Sequence, residues 1–538
     1  NRQHKIIWSA ATQSWVAVSE NTRAHSKKSS LSKLTMGAAL TAAAAFALPA
    51  QAGCDVPTNT ATAGSTVTCT GTQTGQYVIN AANVTLNNLG TMTADGSLYG
   101  VVYLQNMNTS GFNGTNQGTI NWTNAAYGGS GTGTRAAVNA AFTSPNNISS
   151  NSFTNDTTGV VTVDIVSALS ANRGIAGIAV YSNNGTATAT NKGTVTVTSS
   201  APSATSAASE GIASGGATAS IINSGAVNVT NTNSAAVIGL AIVSNNSVNS
   251  SAVINNSGTV VVSGYGNNSQ AASIAGLGSN TTSAQIINSG TLEVKGGVAP
   301  LTGSRSVVAF FSNTAAGAPY VFTNTSTGIV KGDEFAYGVT AGHHSILINN
   351  SGSISINNGG YAVVAFNGND TFNQDAGSTT GEIYLGEGNN TFTLSGGSIT
   401  GNVVTETGVD AYSMTAGTLT GNTYLGAGND SFTASGGALI GNTLMGDGDD
   451  VATLSGTVDV SAAPQFDGGA GADVLNVDGI ALRGFTAASN DGTGNNSNLT
   501  GWETINVKNE GSLKLSKHLF ADTNTGDLNI DATSTLDL

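Results

Sequence analysis

The sequence predicts an all-β protein, a right-handed parallel β-helix (a solenoid) that follows a cleavable signal peptide. Three observations lead to this fold class. A motif of glycine followed by alternating apolar residues recurs about every 33 residues, and a tighter array further along the chain repeats every 20 residues. The composition, with 71 glycines and 9% charged but 39% hydrophobic residues, disfavours both disorder and an ordinary globular domain.

The longer repeat contains segments such as KGTVTVTS and INSGTLEV. Their alternation of apolar and polar residues is typical of strands with one buried face, and the Asn and Gly before them supply turns. A second apolar patch lies within each unit, for example at 177–180. Three short strands and three turns in about 33 residues make one coil of a β-helix. The glycines that mark successive units are Gly159, Gly193, Gly225, Gly258 and Gly290.

The shorter repeat has units that begin at Gly381, Gly401, Gly421 and Gly441. Because a solenoid stacks equivalent positions of successive coils on one another, we expect stacks of like aromatic residues and of Asn inside it. The aligned apolar columns are Leu385, Leu425 and Met445, and Phe392, Tyr412 and Phe432.

Other folds fit these repeats less well. The chain after residue 52 has little 3.6-residue periodicity and is rich in Gly, Asn, Thr and Val, which are poor helix formers. Immunoglobulin-type arrays need units of about 100 residues. At about 4.8 Å of rise per coil, the repeats predict a rod about 70 to 115 Å long.

The first 52 residues predict export. A basic stretch around Lys28 precedes an apolar segment, 34–48, which is too short to span a bilayer. A small-x-small motif then predicts signal cleavage at Ala50, Ala52 and Gly53, with the cut before Gly53.

The two cysteines, Cys54 and Cys69, lie just after the expected cleavage site. A lipid anchor on Cys54 is disfavoured because Gln51 stands three residues before it, where lipoprotein signals have Leu or a similar residue. Because export leads to an oxidising compartment, we expect a disulfide between Cys54 and Cys69.

Charge and motifs disfavour two classes of function. With a net charge of −14, the chain has too few Lys and Arg to neutralise phosphates, so we expect no nucleic-acid partner. Neither a nucleophile elbow nor a protease or HExxH motif occurs, so we expect no enzyme. His343 and His344 are adjacent but lack a nearby third ligand, and we expect them in a solvent-exposed turn.

Glycine and acidic residues recur together in the 20-residue array. Residues 468–476, GGAGADVLN, match the calcium-binding nonapeptide G-G-x-G-x-D-x-U-x, and carboxylate oxygens suit calcium. Only this copy is complete, and the partial copies lie about 20 residues apart instead of following one another directly. We therefore expect turn formation without a cofactor, and keep calcium as the alternative. The residues that would bind calcium are Asp447, Asp449, Asp450, Gly469, Gly471 and Asp473.

The stretch before the signal peptide carries a further pattern. After Asn1 and Lys5 it contains IIW at 6–8, WVAVSE at 15–20 and KKSS at 27–30. It resembles the extended signal peptide region of Gram-negative type V secreted proteins. The heptad stalks of trimeric adhesins and the NPNL- and NPNG-type motifs of two-partner exoproteins do not occur, so the chain most resembles a monomeric autotransporter.

This resemblance implies a passenger that the inner-membrane export machinery translocates. It also implies a C-terminal β-barrel that the outer-membrane assembly machinery inserts, and a location at the outer membrane, on the cell surface of a Gram-negative bacterium or in the medium. We expect an adhesin or self-association factor, with roles in aggregation, biofilm or virulence, that binds a host-cell or matrix ligand or another copy of itself. The alternatives are a passenger protease or esterase and a calcium-stabilised structural stalk.

These patterns divide the chain into six segments. They are an extended signal peptide region (1–24), a signal peptide (25–52), an N-terminal cap with the disulfide (53–80), a β-helix of 33-residue repeats (81–380), a β-helix of 20-residue repeats (381–480), and a continuing β-helix (481–538) that leads towards a β-barrel expected beyond it.

Overall fold

A computed structural model describes most of the chain after residue 52 and two short stretches before it. The described residues are 4–9, 14–19, 53–96, 100–105, 111–123, 135–140, 150–165, 174–182, 184–200, 208–232, 236–244, 250–264, 269–277, 281–296, 305–312, 319–333, 336–342, 344–357, 360–463, 465–482, 499–514 and 526–537.

The chain divides into two units, Asn1–Pro49 and Ala50–Leu538. In the first unit, strands His4–Ser9 and Ser14–Ser19 pair as an antiparallel hairpin with Trp8 opposite Trp15.

The second unit contains three long parallel sheets, and successive strands of the chain enter them in turn. Each sheet pairs a strand of one coil with the corresponding strand of the next coil. Sheet 1 comprises Thr66–Cys69, Val84–Asn88, Phe112–Asn116, Asn151–Asn155, Thr186–Asn191, Thr218–Asn223, Ser250–Asn256, Thr281–Asn288, Tyr320–Asn324, Ile346–Asn350, Thr371–Gln374, Thr391–Leu394, Ala411–Met414, Ser431–Ala434, Val451–Ser455, Val474–Asp478, Thr504–Lys508 and Asp527–Ile530.

Sheets 2 and 3 have 14 and 16 strands. Sheet 2 comprises Thr72–Thr74, Thr91–Asp95, Thr119–Thr123, Val160–Ile165, Thr194–Ser199, Ala226–Asn231, Thr259–Gly264, Thr291–Lys295, Ile329–Gly332, Ser353–Ile356, Ser378–Thr380, Ser398–Thr400, Thr418–Thr420 and Ala438–Ile440. Sheet 3 comprises Tyr77–Ile79, Val102–Leu104, Arg135–Ala140, Ile175–Tyr181, Ser209–Gly216, Val237–Ser244, Ser269–Leu277, Arg305–Ser312, Ala336–Ala341, Tyr361–Ala365, Glu382–Gly386, Val403–Thr405, Thr423–Tyr424, Thr443–Asp447, Phe466–Ala470 and Leu499–Thr500. A small fourth sheet comprises Ala481–Leu482, Ser512–Lys514 and Thr535–Asp537.

This topology confirms the predicted fold class. All pairings within these sheets are parallel and no α-helix occurs in the described part, which is consistent with a right-handed β-helix. The registers join equivalent repeat positions: Val195 pairs with Val227, and Val197 with Val229. Each coil therefore buries its apolar residues against its neighbours.

Stacked aromatic rings fill the core of the 20-residue array, as predicted. Phe372, Phe392, Tyr412 and Phe432 occupy successive coils of sheet 1, with ring centroids 5.7, 4.7 and 4.4 Å apart and nearly parallel planes. The four rings are buried, so their stacking adds to the apolar area removed from water.

A ladder of buried Asn side chains marks the turn between sheets 1 and 2 in the longer repeats. Each amide donates to the side-chain oxygen of the next coil at 2.7 to 2.9 Å. Two residues after Asn223 stands Gly225, where a Cβ would lie 2.1 Å from the carbonyl oxygen of Gly193, so only glycine fits there. The ladder runs through Asn88, Asn116, Asn155, Asn191, Asn223, Asn256, Asn288, Asn324 and Asn350 to Gln374.

Candidate functional surfaces of the solenoid

The outward face of sheet 3 differs from those of the other two sheets. Strands Thr186–Asn191 of sheet 1 and Thr194–Ser199 of sheet 2 alternate buried residues with Thr side chains that reach the surface. Strand Ser209–Gly216 of sheet 3 is instead buried along its whole length. Both faces of sheet 3 are therefore covered in this part of the solenoid.

Several long stretches of chain separate the strands of sheet 3 from those of sheets 1 and 2. In the sequence, 124–134 separate strand Arg135–Ala140 from the preceding strand of sheet 2, and 141–150 separate it from the following strand of sheet 1; of these, only residue 150 is among the described residues. Sheets 1 and 2 are joined more tightly, for example by 192–193 alone. Because loops on a rigid scaffold commonly carry binding functions, the two edges of sheet 3 are the natural places for them.

The covered part of this face holds a small apolar cluster and a buried acid. Ala136, Ala176, Ala179 and Ala213 pack together, separately from the main core. Glu210 lies in the same outward column, paired with Ala176. Its Oε2 has no hydrogen-bond partner, and burial raises the pKa of Glu210 to about 7.

Further along the chain, the outward face of sheet 3 becomes aromatic and partly exposed. The rings of Tyr337 and Tyr361 lie 5.7 Å apart and those of Tyr361 and Tyr384 6.5 Å apart, both edge to face. Tyr424 occupies the column of Tyr384 two coils on. Tyr361 is 39% exposed. We call Tyr337, Tyr361, Tyr384 and Tyr424 the tyrosine stripe.

Two hydroxyls of the tyrosine stripe, those of Tyr384 and Tyr424, form hydrogen bonds with neighbouring polar side chains. Tyr384 donates to the Glu406 carboxylate. Partial burial and this hydrogen bond raise the pKa of Tyr384 to about 12, so its hydroxyl stays protonated at neutral pH. Tyr424 accepts from the Asn422 side chain at 2.8 Å. The stripe therefore presents apolar ring faces with ordered polar tips, the combination that suits ligand contact.

A groove of about 510 Å³ lies between sheets 2 and 3 in the same coils. Thr380, Thr400 and Thr420 line one side, and Glu382 and Asn402 line the other. Asn402 donates to Glu382 at 3.3 Å and accepts from the next coil's backbone at 3.0 Å. The groove walls thus offer hydroxyl, amide and carboxylate groups beside the tyrosine stripe.

The predicted calcium residues lie at the ends of strands Thr443–Asp447 and Phe466–Ala470 of sheet 3 and in the turns that lead from them to sheet 1. Gly469 and Gly471 have φ values of 103° and 153°. A Cβ on Gly471 would lie 1.9 Å from the Gly448 carbonyl oxygen, so the turns stack too closely for any other residue. Asp447 and Asp449 are exposed at the turn surface.

Asp450 and Asp473 are brought together by the stacking of successive turns. Both are buried, and the Asp450 backbone N–H donates to Asp473 Oδ1 at 2.8 Å. They belong to what we call the carboxylate column, in which each side chain accepts from a backbone N–H one coil earlier at 2.6 to 2.9 Å. The column comprises Asp370, Asn390, Asp410, Asp430, Asp450 and Asp473.

The second oxygen of each acid in the column is buried and has no hydrogen-bond partner. Burial raises the pKa of Asp370 and Asp430 to about 7 and that of Asp450 and Asp473 to about 6. The neighbouring carboxylates raise the pKa of Asp430 further. Within the described ranges, no three His, Cys, Asp or Glu side chains form a metal-binding group. Any cation here would also need backbone oxygens.

The remaining predicted sites lie near the start of the second unit. Ala50 and Ala52 fall outside the described residues, and Gly53 is buried with a φ of 117°. Cys54 and Cys69 are joined by a disulfide.

The expectation of an exposed histidine turn is wrong for His344, because this side chain is only 6% exposed and its ring lies 5.0 Å from that of Tyr320. An aromatic neighbour at the turn buries it. His343 lies outside the described residues.

Sequence reasoning did not single out the tyrosine stripe or three acids of the column, Asp370, Asp410 and Asp430. The acids left a signal, since Asp410, Asp430 and Asp450 recur at the 20-residue period. The tyrosines left little signal in the sequence, because only the fold shows which side chains of the sheet 3 strands face outward.

Comparison with known proteins gives a match for the N-terminal export signal and none for the solenoid. Residues 1–50 match the family model of the extended signal peptide of the type V secretion system. No curated protein and no solved structure matches the chain. Among the described residues, no helix has the length and hydropathy needed to cross a membrane. The chain therefore carries an extended signal peptide of the type V secretion system followed by a parallel β-helix, an architecture consistent with an autotransporter passenger.

Proposed function

We propose that the chain is an autotransporter passenger, displayed on the outer surface or secreted, that acts as an adhesin or self-association factor through the outward face of sheet 3. The observation that carries this proposal is the tyrosine stripe beside the groove. Three of its members lie in ring contact along successive coils, with exposed surface on Tyr361. Aromatic residues are enriched among the side chains that dominate binding energy at interfaces.

The chemistry of this surface fits an extended ligand. Stripe and groove run across successive coils, so contacts repeat along the solenoid axis. Phe366, next to the stripe, is 46% exposed and adds apolar area. A chain-like ligand, such as a host-matrix polymer or the same face of a second copy, would contact several coils at once, and weak contacts would add up.

Loss of the stripe tests this proposal. Bacteria displaying the protein are compared with bacteria displaying Tyr361→Ser/Tyr384→Ser for aggregation and for binding to matrix-coated surfaces. We expect the double variant to lose about tenfold in binding per tyrosine, the equivalent of about 1–2 kcal/mol each. Val451→Ser is the matched control, because Val451 is 43% exposed but lies in sheet 1.

Unchanged aggregation and binding in the double variant, at equal surface display, would refute the role of this face. If bacteria lacking the whole protein aggregate and bind as well as those displaying it, the adhesive function itself is wrong. The proposal includes no catalysis, so release of a chromogenic ester or peptide by the purified chain would favour the passenger hydrolase instead.

A further inference from the structure

We propose that the turns between sheets 3 and 1 in the 20-residue array bind a row of calcium ions, one between each pair of adjacent acidic coils. This inference is independent of the adhesive function. It concerns the carboxylate column, and above all Asp410, Asp430, Asp450 and Asp473, which follow one another without interruption.

The column supplies buried carboxylate oxygens that meet no hydrogen-bond donor at bonding distance. In each of these four acids Oδ1 accepts a backbone N–H from the preceding coil, whereas Oδ2 is buried and without a partner. All four side chains are at most 2% exposed. A buried carboxylate oxygen without a hydrogen bond is costly, and a cation bound to it would offset that cost.

No basic side chain in this part of the sequence is available to balance the charge of these acids. Between Lys331 and Arg483 the sequence contains neither Lys nor Arg. Near Asp450 and Asp473 the charge is more negative still, because Asp449 and Glu503 are close enough to interact electrostatically with Asp473. Hard oxygen ligands in a stack of like charges favour a divalent metal ion over an organic cation.

The backbone of the turns provides the remaining ligands. The turns before Asp430, Asp450 and Asp473 each carry two glycines with positive φ, such as Gly446 and Gly448, whereas the turn before Asp410 carries one, Gly408. The carbonyls of one coil lie against the Cα atoms of the next. Calcium accepts six to eight oxygens in irregular geometry, so carbonyls can complete a shell that contains two carboxylates. Magnesium requires a strict octahedron and fits this arrangement less well.

The 20-residue spacing disfavoured calcium in the sequence because the motif copies do not follow one another directly, but in the structure the same spacing favours calcium. One period equals one coil, so the turns at Asp430 and Asp450 are stacked directly on each other. Ions can therefore lie between neighbouring coils even though the motif copies are separated along the chain.

Calcium binding to the purified full chain, measured by equilibrium dialysis and by isothermal titration with CaCl₂, tests this inference. We expect a dissociation constant on the order of 10⁻⁴–10⁻³ M, as in extracellular calcium modules, and a higher melting temperature with CaCl₂ than with MgCl₂ or chelator. Asp430→Asn/Asp450→Asn/Asp473→Asn keeps each Oδ1 acceptor and is expected to weaken binding at least tenfold. The control Asp375→Asn/Asp459→Asn/Asp527→Asn removes the same charge from exposed positions and is expected to bind as the wild type does.

A variant that adds a binding site keeps the inference testable even if the column variant fails to fold. Asn390 interrupts the acids between Asp370 and Asp410, so Asn390→Asp is expected to increase the number of bound ions. The inference is overturned if the wild type binds no calcium at about 10 mM, far above the expected dissociation constant. It is also overturned if the control loses as much binding as the column variant, or if Asn390→Asp adds no ion.

Discussion

Replacing one Asn of the buried ladder tests whether the hydrogen bonds of this ladder stabilise the turn between sheets 1 and 2. Asn223 is fully buried, accepts from Asn191 at 2.8 Å and donates to Asn256 at 2.7 Å. Asn223→Ala leaves the Asn256 oxygen without this donor and the Asn191 amide with only its longer bonds, at 3.3 Å. A buried polar group left unsatisfied costs about 1–3 kcal/mol, and because the Asn191 amide keeps its two longer bonds, the two groups together cost about 2–4 kcal/mol.

Amide hydrogen exchange followed by mass spectrometry suits this measurement better than global unfolding. A solenoid need not unfold as one unit, because each coil contacts only its neighbours. Local opening around 218–231 is expected to become easier by about 2–4 kcal/mol, which speeds exchange there about 30- to 700-fold. Coils beyond 391 are expected to exchange at wild-type rates.

The control for this prediction is Asn228→Ala, an outward-facing residue in the next strand of the same coil. This substitution also removes a side-chain amide, but it leaves no buried group unsatisfied. The rate of amide hydrogen exchange is therefore expected to change less than about threefold, within the usual effect of a surface substitution. Equal acceleration in both variants, or none in Asn223→Ala, would refute the view that the ladder stabilises the turn.

Two further predictions follow from buried side chains. Because the pKa of Glu210 rises to about 7 in the folded protein, the native state binds the extra proton, and stability falls as pH rises from the unfolded pKa of about 4.5 to about 7. Glu210→Gln is therefore expected to stabilise the chain by about 3 kcal/mol at pH 8 and not at pH 4, and pH-independent melting differences would contradict this. Phe392→Ala removes a ring stacked between Phe372 and Tyr412 and is expected to cost about 3–5 kcal/mol, visible as new protease cleavage within 361–440. The outward-facing Thr393→Ala should leave cleavage unchanged, and equal cleavage in both variants would show that the stack contributes little.

The fold class and the interior columns were predictable from the sequence because a solenoid repeats the same contacts in every coil. Phe392, Tyr412 and Phe432 could be aligned from the 20-residue period, and the structure stacks them. The alternation in strands such as Thr194–Ser199 likewise predicted which side chains are buried. In both cases neighbours one period apart decide the environment, and the period is visible in the chain.

The side chains on the outside of sheet 3 and at the turn beside it could be assigned only from the three-dimensional arrangement of the coils. Strands such as Ser209–Gly216 are buried on both faces, so alternation no longer distinguishes inward from outward positions, and the tyrosine stripe could not be assigned to a face. Whether an acid in a Gly-rich turn points inward, as Asp450 does, or outward, as Asp449 does, depends on the stacking of one coil on the next. The repeat spacing indicates that these residues recur, but burial and hydrogen bonding between coils determine their chemistry.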